Sequence, residues 1–266
     1  MKASVSQMLI TSAALWSFSS VLVATGDEPL PKSAPEGAVQ HVVPLRSTAG
    51  DMLGEMTVYR IGTDRVAECK RYRNGRTADL RLFRDGKLHG VWTQYHTNGK
   101  VFAERPYRNG LPDGTFRFWD EREKLLGESE IKKGTGLLRE YEKICLTSHD
   151  AEIPLVDGRI HGIQRVWAQY DRCRGRGCEI ELYEHGESSG WNVVRDEDGT
   201  LMSSAYFHQG RLHGVLREWN RDGSLIDGSP SYWVKDKPVS EQAYLRVEEK
   251  DPVLAVSLKS DGHDVK

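Results

Sequence analysis

The sequence predicts an all-β fold: an elongated repeat array of antiparallel β-hairpins, forming a single-layer sheet or meander, with a short C-terminal helix. Three observations predict it. Asn-Gly and Asp-Gly dipeptides recur along the chain, glycines recur every 24 residues, and short segments rich in aromatic and β-branched residues separate the turns. A fixed period of this length is typical of repeat proteins, in which each unit buries its apolar face only against its neighbours.

The turn dipeptides identify where the chain reverses. Both central positions of a two-residue hairpin turn need a positive φ, which glycine adopts freely and Asn or Asp tolerates. Glycine follows the turn residues Asn74, Asp85, Asn98, Asn109, Asp157, Asp198 and Asp222.

The glycines fall into two interleaved series. The first glycine series is Gly86, Gly110, Gly134 and Gly158, followed after a four-residue insertion by Gly186 and Gly210. The second glycine series is Gly75, Gly99, Gly175, Gly199 and Gly223, with Glu123 and Thr147 at the two intervening places. Outside the insertion, the intervals alternate between 11 and 13 residues, so we assign residues 63–236 to the hairpin repeats.

Large aromatic rings keep the same register, which predicts a row of rings along the sheet. Interleaved with many arginines, they resemble the composition favoured at protein interfaces. The alternative is that the long arginine stems only cover and solubilise a single-layer sheet. The predicted interface aromatics are Trp92, Tyr95, Trp119, Trp167, Trp191 and Trp219.

The N-terminal region predicts export. Residues 1–26 have the pattern of a signal peptide, with Lys2 near the start, an apolar stretch and a small-residue site before Asp27. An uncleaved anchor is the alternative, although the stretch is short for a membrane span. We expect a secreted or periplasmic protein without a stable membrane span, beginning with a flexible leader over 27–38 and cap strands over 39–62.

The C-terminal region predicts a helical cap followed by a tail. Ser240 has the residue type and position of a helix N-cap, and Pro252 follows the last helical residues. We assign residues 237–252 to a C-terminal helix cap and 253–266 to a disordered tail.

The four cysteines suit an oxidising compartment. Cys173 and Cys178 flank a glycine-bearing turn within the insertion, where facing strand ends bring a disulfide within reach. Whether Cys69 and Cys145 pair stays open.

Charge and motif content argue against several functions. Removing residues 1–26 leaves 36 basic and 39 acidic side chains, a balance that disfavours nucleic acid as a partner. The pattern Gly186-Glu187-Ser188-Ser189-Gly190 resembles a hydrolase motif, but both of its glycines belong to the repeat. His89, His161 and His213 recur one unit or more apart and do not predict a zinc site. We therefore predict no catalytic residue, cofactor or metal.

Three segments carry a family resemblance: 84–92, 156–162 and 208–214. They share the pattern seen in Asp85-Gly86-Lys87-Leu88-His89-Gly90. This pattern resembles the variant MORN repeat of bacteria, and the resemblance extends over about six copies in residues 72–233. Many proteins of that family are classed as antitoxin-like. The resemblance implies a sheet built from hairpins and a binding or scaffolding role.

Together these observations predict a non-enzymatic, exported β-repeat protein that binds or scaffolds another protein. The alternatives are a binder of envelope carbohydrate or lipid headgroups, for which rows of exposed rings are suited, and an immunity or antitoxin protein.

Overall fold

The computed structural model describes residues 33–46, 48, 52–141, 150–169 and 176–265. The predicted signal peptide, Cys145 and Cys173 lie outside these residues. The described chain folds into two antiparallel sheets and two short helices.

The first sheet contains ten strands from the N-terminal half of the chain. Its main path runs in sequence order from β1 to β4, then through β6, β7, β9 and β10, while β5 pairs with β4 and β8 with β7. The strands are β1 (Val39–Arg46), β2 (Met52–Ile61), β3 (Asp64–Tyr72), β4 (Thr77–Arg84), β5 (Lys87–Leu88), β6 (Gly90–Tyr95), β7 (Val101–Arg108), β8 (Leu111–Pro112), β9 (Gly114–Trp119) and β10 (Leu125–Ile131).

The second sheet contains eleven strands. Its main path runs from β11 through β12, β14, β15, β16, β17, β19 and β20 to β21, while β13 pairs with β12 and β18 with β17. The strands are β11 (Gly136–Glu140), β12 (Ala151–Val156), β13 (Arg159–Ile160), β14 (Gly162–Gln169), β15 (Arg176–Glu184), β16 (Glu187–Arg195), β17 (Leu201–His208), β18 (Arg211–Leu212), β19 (Gly214–Glu218), β20 (Ser231–Val234) and β21 (Lys237–Val239).

This topology confirms the predicted all-β array of antiparallel hairpins. The array is divided at the turn between β10 and β11, where the strand pairing is reduced to an isolated bridge between Lys132 and Thr135. The predicted cap strands correspond to β1 and β2, which form the first edge of the first sheet.

The turns of the first glycine series stack on one another, and we call this row the turn ridge. In most units the N–H of the first-series glycine donates to a backbone carbonyl of the preceding unit. The accepting residue lies two positions after the first-series glycine of that unit. These bonds run from Gly110 to Leu88 (2.7 Å), Gly134 to Pro112 (2.7 Å), Gly186 to Ile160 (2.8 Å) and Gly210 to Ser188 (2.8 Å). A spacing of 24 residues therefore brings the chain back to the ridge at the next turn, which forms a hydrogen bond with the previous turn.

The ridge continues beyond the last glycine of the series. At the turn between β20 and β21, Lys235 and Asp236 adopt φ values of 51° and 65°. The Asp236 N–H donates to the Leu212 carbonyl (2.9 Å), and its carboxylate accepts the Leu212 N–H (2.8 Å). This turn therefore completes the array with an aspartate where the other units have glycine.

Among the residues that the structure describes, buried apolar side chains form three clusters. The largest lies where the two sheets meet and contains Phe102, Phe116, Phe118, Ile131, Leu138 and Leu155. A second surrounds Ile180, Val193 and Leu201 in the second sheet. A third surrounds Val215, Tyr244 and Leu254, where the C-terminal helices pack on the second sheet.

Two helices follow the array: α1 (Glu241–Glu248) and α2 (Pro252–Lys259). Ser240 caps α1 as expected, its side chain accepting the Ala243 N–H. The segment expected to be a disordered tail instead contains most of α2, because Pro252 occupies the first turn of a helix that Asp251 caps. Neither helix in the described part of the chain is long and apolar enough to cross a bilayer.

Candidate functional site

Trp92, one of the predicted interface aromatics, lies between two arginines of the first sheet. The register pairs Trp92 of β6 with Arg105 of β7. The Arg81 and Arg105 guanidinium carbons lie 4.4 Å and 5.2 Å from the Trp92 ring centroid. The indole N–H donates to the buried Asp79 carboxylate (2.7 Å), which also pairs with Arg81 (3.1 Å). Cation–π contact and the charged hydrogen bond both fix the ring.

Arg105 extends this network to the second sheet. Its side chain is only 8% exposed and forms a two-pronged ion pair with Glu140 of β11. It also donates to Gln94 and lies 4.9 Å from the Phe118 ring centroid. A buried charge is tolerated only when paired and hydrogen-bonded, as this one is. The Trp92 group therefore joins the two sheets, and the half-buried Trp92 ring is already engaged by these contacts.

Two other predicted aromatics, Tyr95 and Trp119, are tied to neighbouring units through their backbone carbonyls. The Tyr72 hydroxyl donates to the Tyr95 carbonyl (2.6 Å), and His96 Nε2 lies 2.9 Å from the Trp119 carbonyl oxygen. Both rings are half-buried, and burial raises the pKa of the Tyr95 phenol. These positions connect one hairpin to the next.

Trp191 and Trp219 come together in the second sheet, beneath the C-terminal residues 261–265. A Cβ added to Gly262 would stand 3.1 Å from the Trp191 ring, and the Trp219 and His263 ring centroids are 6.4 Å apart. Arg195 holds the segment by donating to the His263 carbonyl (2.8 Å). The protein's own C-terminal segment thus covers two of the six predicted interface rings.

Trp167 lies opposite Cys178 in the register of β14 and β15. The Cys178 thiol is free and half-buried, and burial raises its pKa. Its predicted partner Cys173 lies outside the described residues, so the disulfide stays a prediction. Cys69 carries a buried free thiol, and Cys145 also lies outside the described residues.

The three recurrent histidines have a structural role on the turn ridge. Each places Nδ1 near the backbone N–H at the start of the next turn: His89 near Asn109 (3.3 Å), His161 near His185 (3.2 Å) and His213 near Lys235 (3.2 Å). Each histidine contacts the turn of the following unit, so the three do not converge on one point.

Three concavities lie along the turn ridge. One of about 400 Å³ lies beside the first turn, between β3 and β4. Two more, each of about 370 Å³, share Glu187 and Gln209 and are lined mainly by polar side chains. Arg159 and His185 contribute to one of these two, and Arg211, His208 and Lys235 to the other. None of the predicted interface aromatics lines these three concavities. The recurrent glycine turns, however, predicted where the ridge lies.

The serine motif does not form a nucleophile elbow. Ser188 lies within β16, whereas that elbow requires a turn from a strand into a helix. In the part of the chain that the structure describes, no three His, Cys, Asp or Glu side chains are grouped to hold a metal ion.

Residues 88–109, from β5 to the end of β7, match the family model of the MORN repeat variant. The match confirms the resemblance found in the sequence for this unit. MORN repeats are non-catalytic modules that often mediate protein or membrane-lipid binding. A comparison of the chain with curated proteins gave no match.

Proposed function

We propose that this chain is an exported, non-enzymatic scaffold that binds a protein partner through its turn ridge. The observation that carries the proposal is the periodic placement of concavities with charged rims on stacked, hydrogen-bonded turns. Sites on a preorganised backbone lose little conformational freedom on binding, which favours affinity.

The charges of the ridge favour a partner surface of mixed sign. In the second sheet, Arg159, Glu187 and Arg211 occupy equivalent positions, immediately after successive first-series glycines. Arginine at an interface forms planar, paired hydrogen bonds with carboxylates. The complement is thus a surface whose acidic side chains meet Arg159 and Arg211 and whose basic side chain meets Glu187.

The test uses two charge reversals on the ridge. Arg159→Glu combined with Arg211→Glu changes exposed side chains that line the two polar concavities. The matched control, Arg122→Glu with Lys124→Glu, reverses two exposed charges at a turn of the second glycine series. A partner crosslinked to the protein in the cell envelope would be identified by mass spectrometry, purified, and titrated against all three proteins.

We expect the ridge variant to bind the partner at least about tenfold more weakly, and the control to bind like the unmodified protein. Equal losses in both variants, or none in either, would refute the ridge as the binding surface. Export is tested separately by sequencing the N terminus of the protein in the envelope fraction. It should begin near Asp27, and a chain retained in the cytoplasm with Met1 intact would contradict export.

The same variants distinguish the alternative ligands. Glycan or lipid-headgroup binding predicts that Trp119→Ala reduces binding to envelope polysaccharide or to vesicles while the charge reversals do not. An immunity role predicts that the partner is a toxin whose activity the protein suppresses.

A further inference from the structure

β1 is an edge strand of the first sheet. Among the residues that the structure describes, it pairs with β2 alone, from Val39 to Arg46. The other side of an edge strand presents a row of N–H and C=O groups, which is a template for a further strand. Proteins commonly protect such an edge with charged side chains, with prolines or by keeping the strand short.

The edges at the two ends of the array differ in this protection. At the end of the second sheet, β21 has only three residues, of which Lys237 is charged and exposed and Pro238 lacks an N–H. β1 has eight residues, and no Asp, Glu, Lys or Arg lies between Val39 and Leu45. Val39 and Val42 are 71% and 52% exposed. The N-terminal end of the array therefore has a long, uncharged edge.

A buried row of side chains stops at this edge. In the register, Thr57 of β2 lies between Val42 of β1 and Cys69 of β3. Thr57 and Cys69 are buried, whereas Val42 is half exposed because β2 flanks it on one side only. A further strand beside β1 would flank Val42 on its second side, as β1 flanks Thr57.

We propose that β1 pairs in antiparallel orientation with β1 of a second copy of this chain, which joins two first sheets into one. A second copy fits because two uncharged strands place no like charges opposite each other, and an antiparallel pair of identical strands is self-complementary. Pairing over the uncharged segment from Val39 to Leu45 places Val42 opposite the same residue of the second copy. Pro44 then lies opposite Gln40, so the missing proline N–H removes a donor only near the end of the segment.

This pairing also determines how the two turn ridges are arranged. Val39 lies opposite Arg60, close to the turn after β2 that borders the concavity beside the first turn of the ridge. Because Val39 also lies opposite Leu45 of the second copy, the two ridges run along opposite edges of the joint sheet. The inference does not depend on the proposed partner binding, since the contact uses a strand edge and not a turn of the ridge.

Analytical ultracentrifugation of the purified protein over a range of concentrations tests the dimer. Val42→Lys places two ammonium groups opposite each other at the centre of the contact, where like charges destabilise pairing. Leu125→Lys is the matched control, since Leu125 is 47% exposed and belongs to β10. We expect the unmodified protein and the control to dimerise equally, and Val42→Lys to weaken the dimer at least about tenfold. A protein that stays monomeric at every concentration, or a dimer that Val42→Lys leaves unchanged, would overturn the proposal.

Cysteine crosslinking tests the register of the two strands. Val42→Cys brings two thiols directly opposite each other, with Cα atoms about 5 Å apart, which is within the range of a disulfide. Val39→Cys is the control on the same strand, because the two copies of residue 39 lie about 20 Å apart in this register. Oxidation should link the Val42→Cys dimer alone, with the unmodified protein as the control for the native cysteines. Any other pattern of crosslinks contradicts the proposed pairing. Circular dichroism of each variant verifies that the sheets remain folded.

Discussion

His213 connects the last full repeat to the C-terminal helices. Its side chain is 2% exposed and has a partner on each ring nitrogen. The Lys235 N–H donates to Nδ1 (3.2 Å), and Nε2 donates to the Asp251 carboxylate (3.1 Å). Asp251 in turn caps α2 by accepting the Val253 N–H. One buried imidazole thus supports a turn and a helix start together.

Replacing His213 with alanine should destabilise the protein by about 3 kcal/mol, because it removes both bonds and leaves a buried gap. The control is His161→Ala at the equivalent ridge position, where the ring is only half-buried and the cost should be about 1 kcal/mol. Urea unfolding of the three proteins measures both values. Equal losses at the two positions would contradict a special role for His213.

Tyr183 gives the protein a dependence on alkaline pH. Burial, followed by the hydrogen bond from its hydroxyl to Glu181 (2.8 Å), raises the pKa of Tyr183 to about 12. Above the ordinary tyrosine pKa of about 10 the unfolded chain loses this proton while the folded chain keeps it. The contribution of Tyr183 to stability is therefore complete below pH 10 and is lost as the pH rises towards 12.

Tyr183→Phe should remove that alkaline loss. We expect the free energy of unfolding of the variant to fall less steeply than that of the unmodified protein between pH 10 and pH 12. Urea unfolding at several pH values in that window measures the slopes. Parallel curves would show that the tyrosine proton is not linked to folding.

At the scale of single elements, the ridge turns differ in how much free space surrounds the Cβ position of their glycine. Gly134 is the tightest, since a Cβ there would lie 2.4 Å from the Gly158 backbone nitrogen. Gly86 has a similar φ, +73° against +81°, but nothing within 4 Å of its Cβ position. Replacing each of these two glycines with alanine therefore separates two costs. Both variants carry the backbone strain, and only Gly134→Ala adds steric overlap.

Gly86→Ala should cost about 1 kcal/mol, the strain of a side chain in the left-handed region. Gly134→Ala should cost about 3 kcal/mol, because overlap with the next turn adds to that strain. Thermal unfolding of both variants gives the comparison. Losses of the same size would mean that the turns do not pack as closely as the hydrogen bond from Gly158 to Gly134 indicates.

These elements also show which parts of the fold are predictable from the sequence. The hairpin turns are, because a positive φ imposes its own residue types locally. The second helix is not, since a proline can either follow the end of one helix or begin another, and here Pro252 begins α2, whose Leu254 is buried. Likewise, no local pattern connects Arg105 to Glu140, a pair 35 residues apart that forms only when the sheets meet.

The candidate surface was predictable only in part. The 24-residue period predicted the positions of the turns that form the ridge. The aromatic composition, in contrast, predicted as interface residues several rings that the fold uses in internal contacts. Trp92 is held between arginines, and Trp191 and Trp219 are covered by residues more than 40 positions later in the chain. Composition identifies rings able to bind, whereas long-range packing decides which of them remain available.

At the scale of the whole molecule, residues 261–265 fold back onto strands of the second sheet that lie much earlier in the chain. Residues 261–265 cover Trp191 and Trp219, and next to them a cavity of about 350 Å³ remains between Ile163, Leu182 and Val265. Arg195 fixes the segment through carbonyls of His263 and Val265. Neither contact involves a turn of the ridge.

Removing residues 260–266 should therefore expose both rings without affecting ridge binding. We expect a red shift of tryptophan fluorescence and stronger acrylamide quenching, because the rings pass from an apolar contact into water. The same truncation in a Trp191→Phe, Trp219→Phe background should change neither signal. Partner affinity should stay unchanged, since Arg159 and Arg211 lie on the ridge. An unchanged spectrum would contradict the covering role of the segment, and lost affinity would place the partner on the C-terminal segment instead of the ridge.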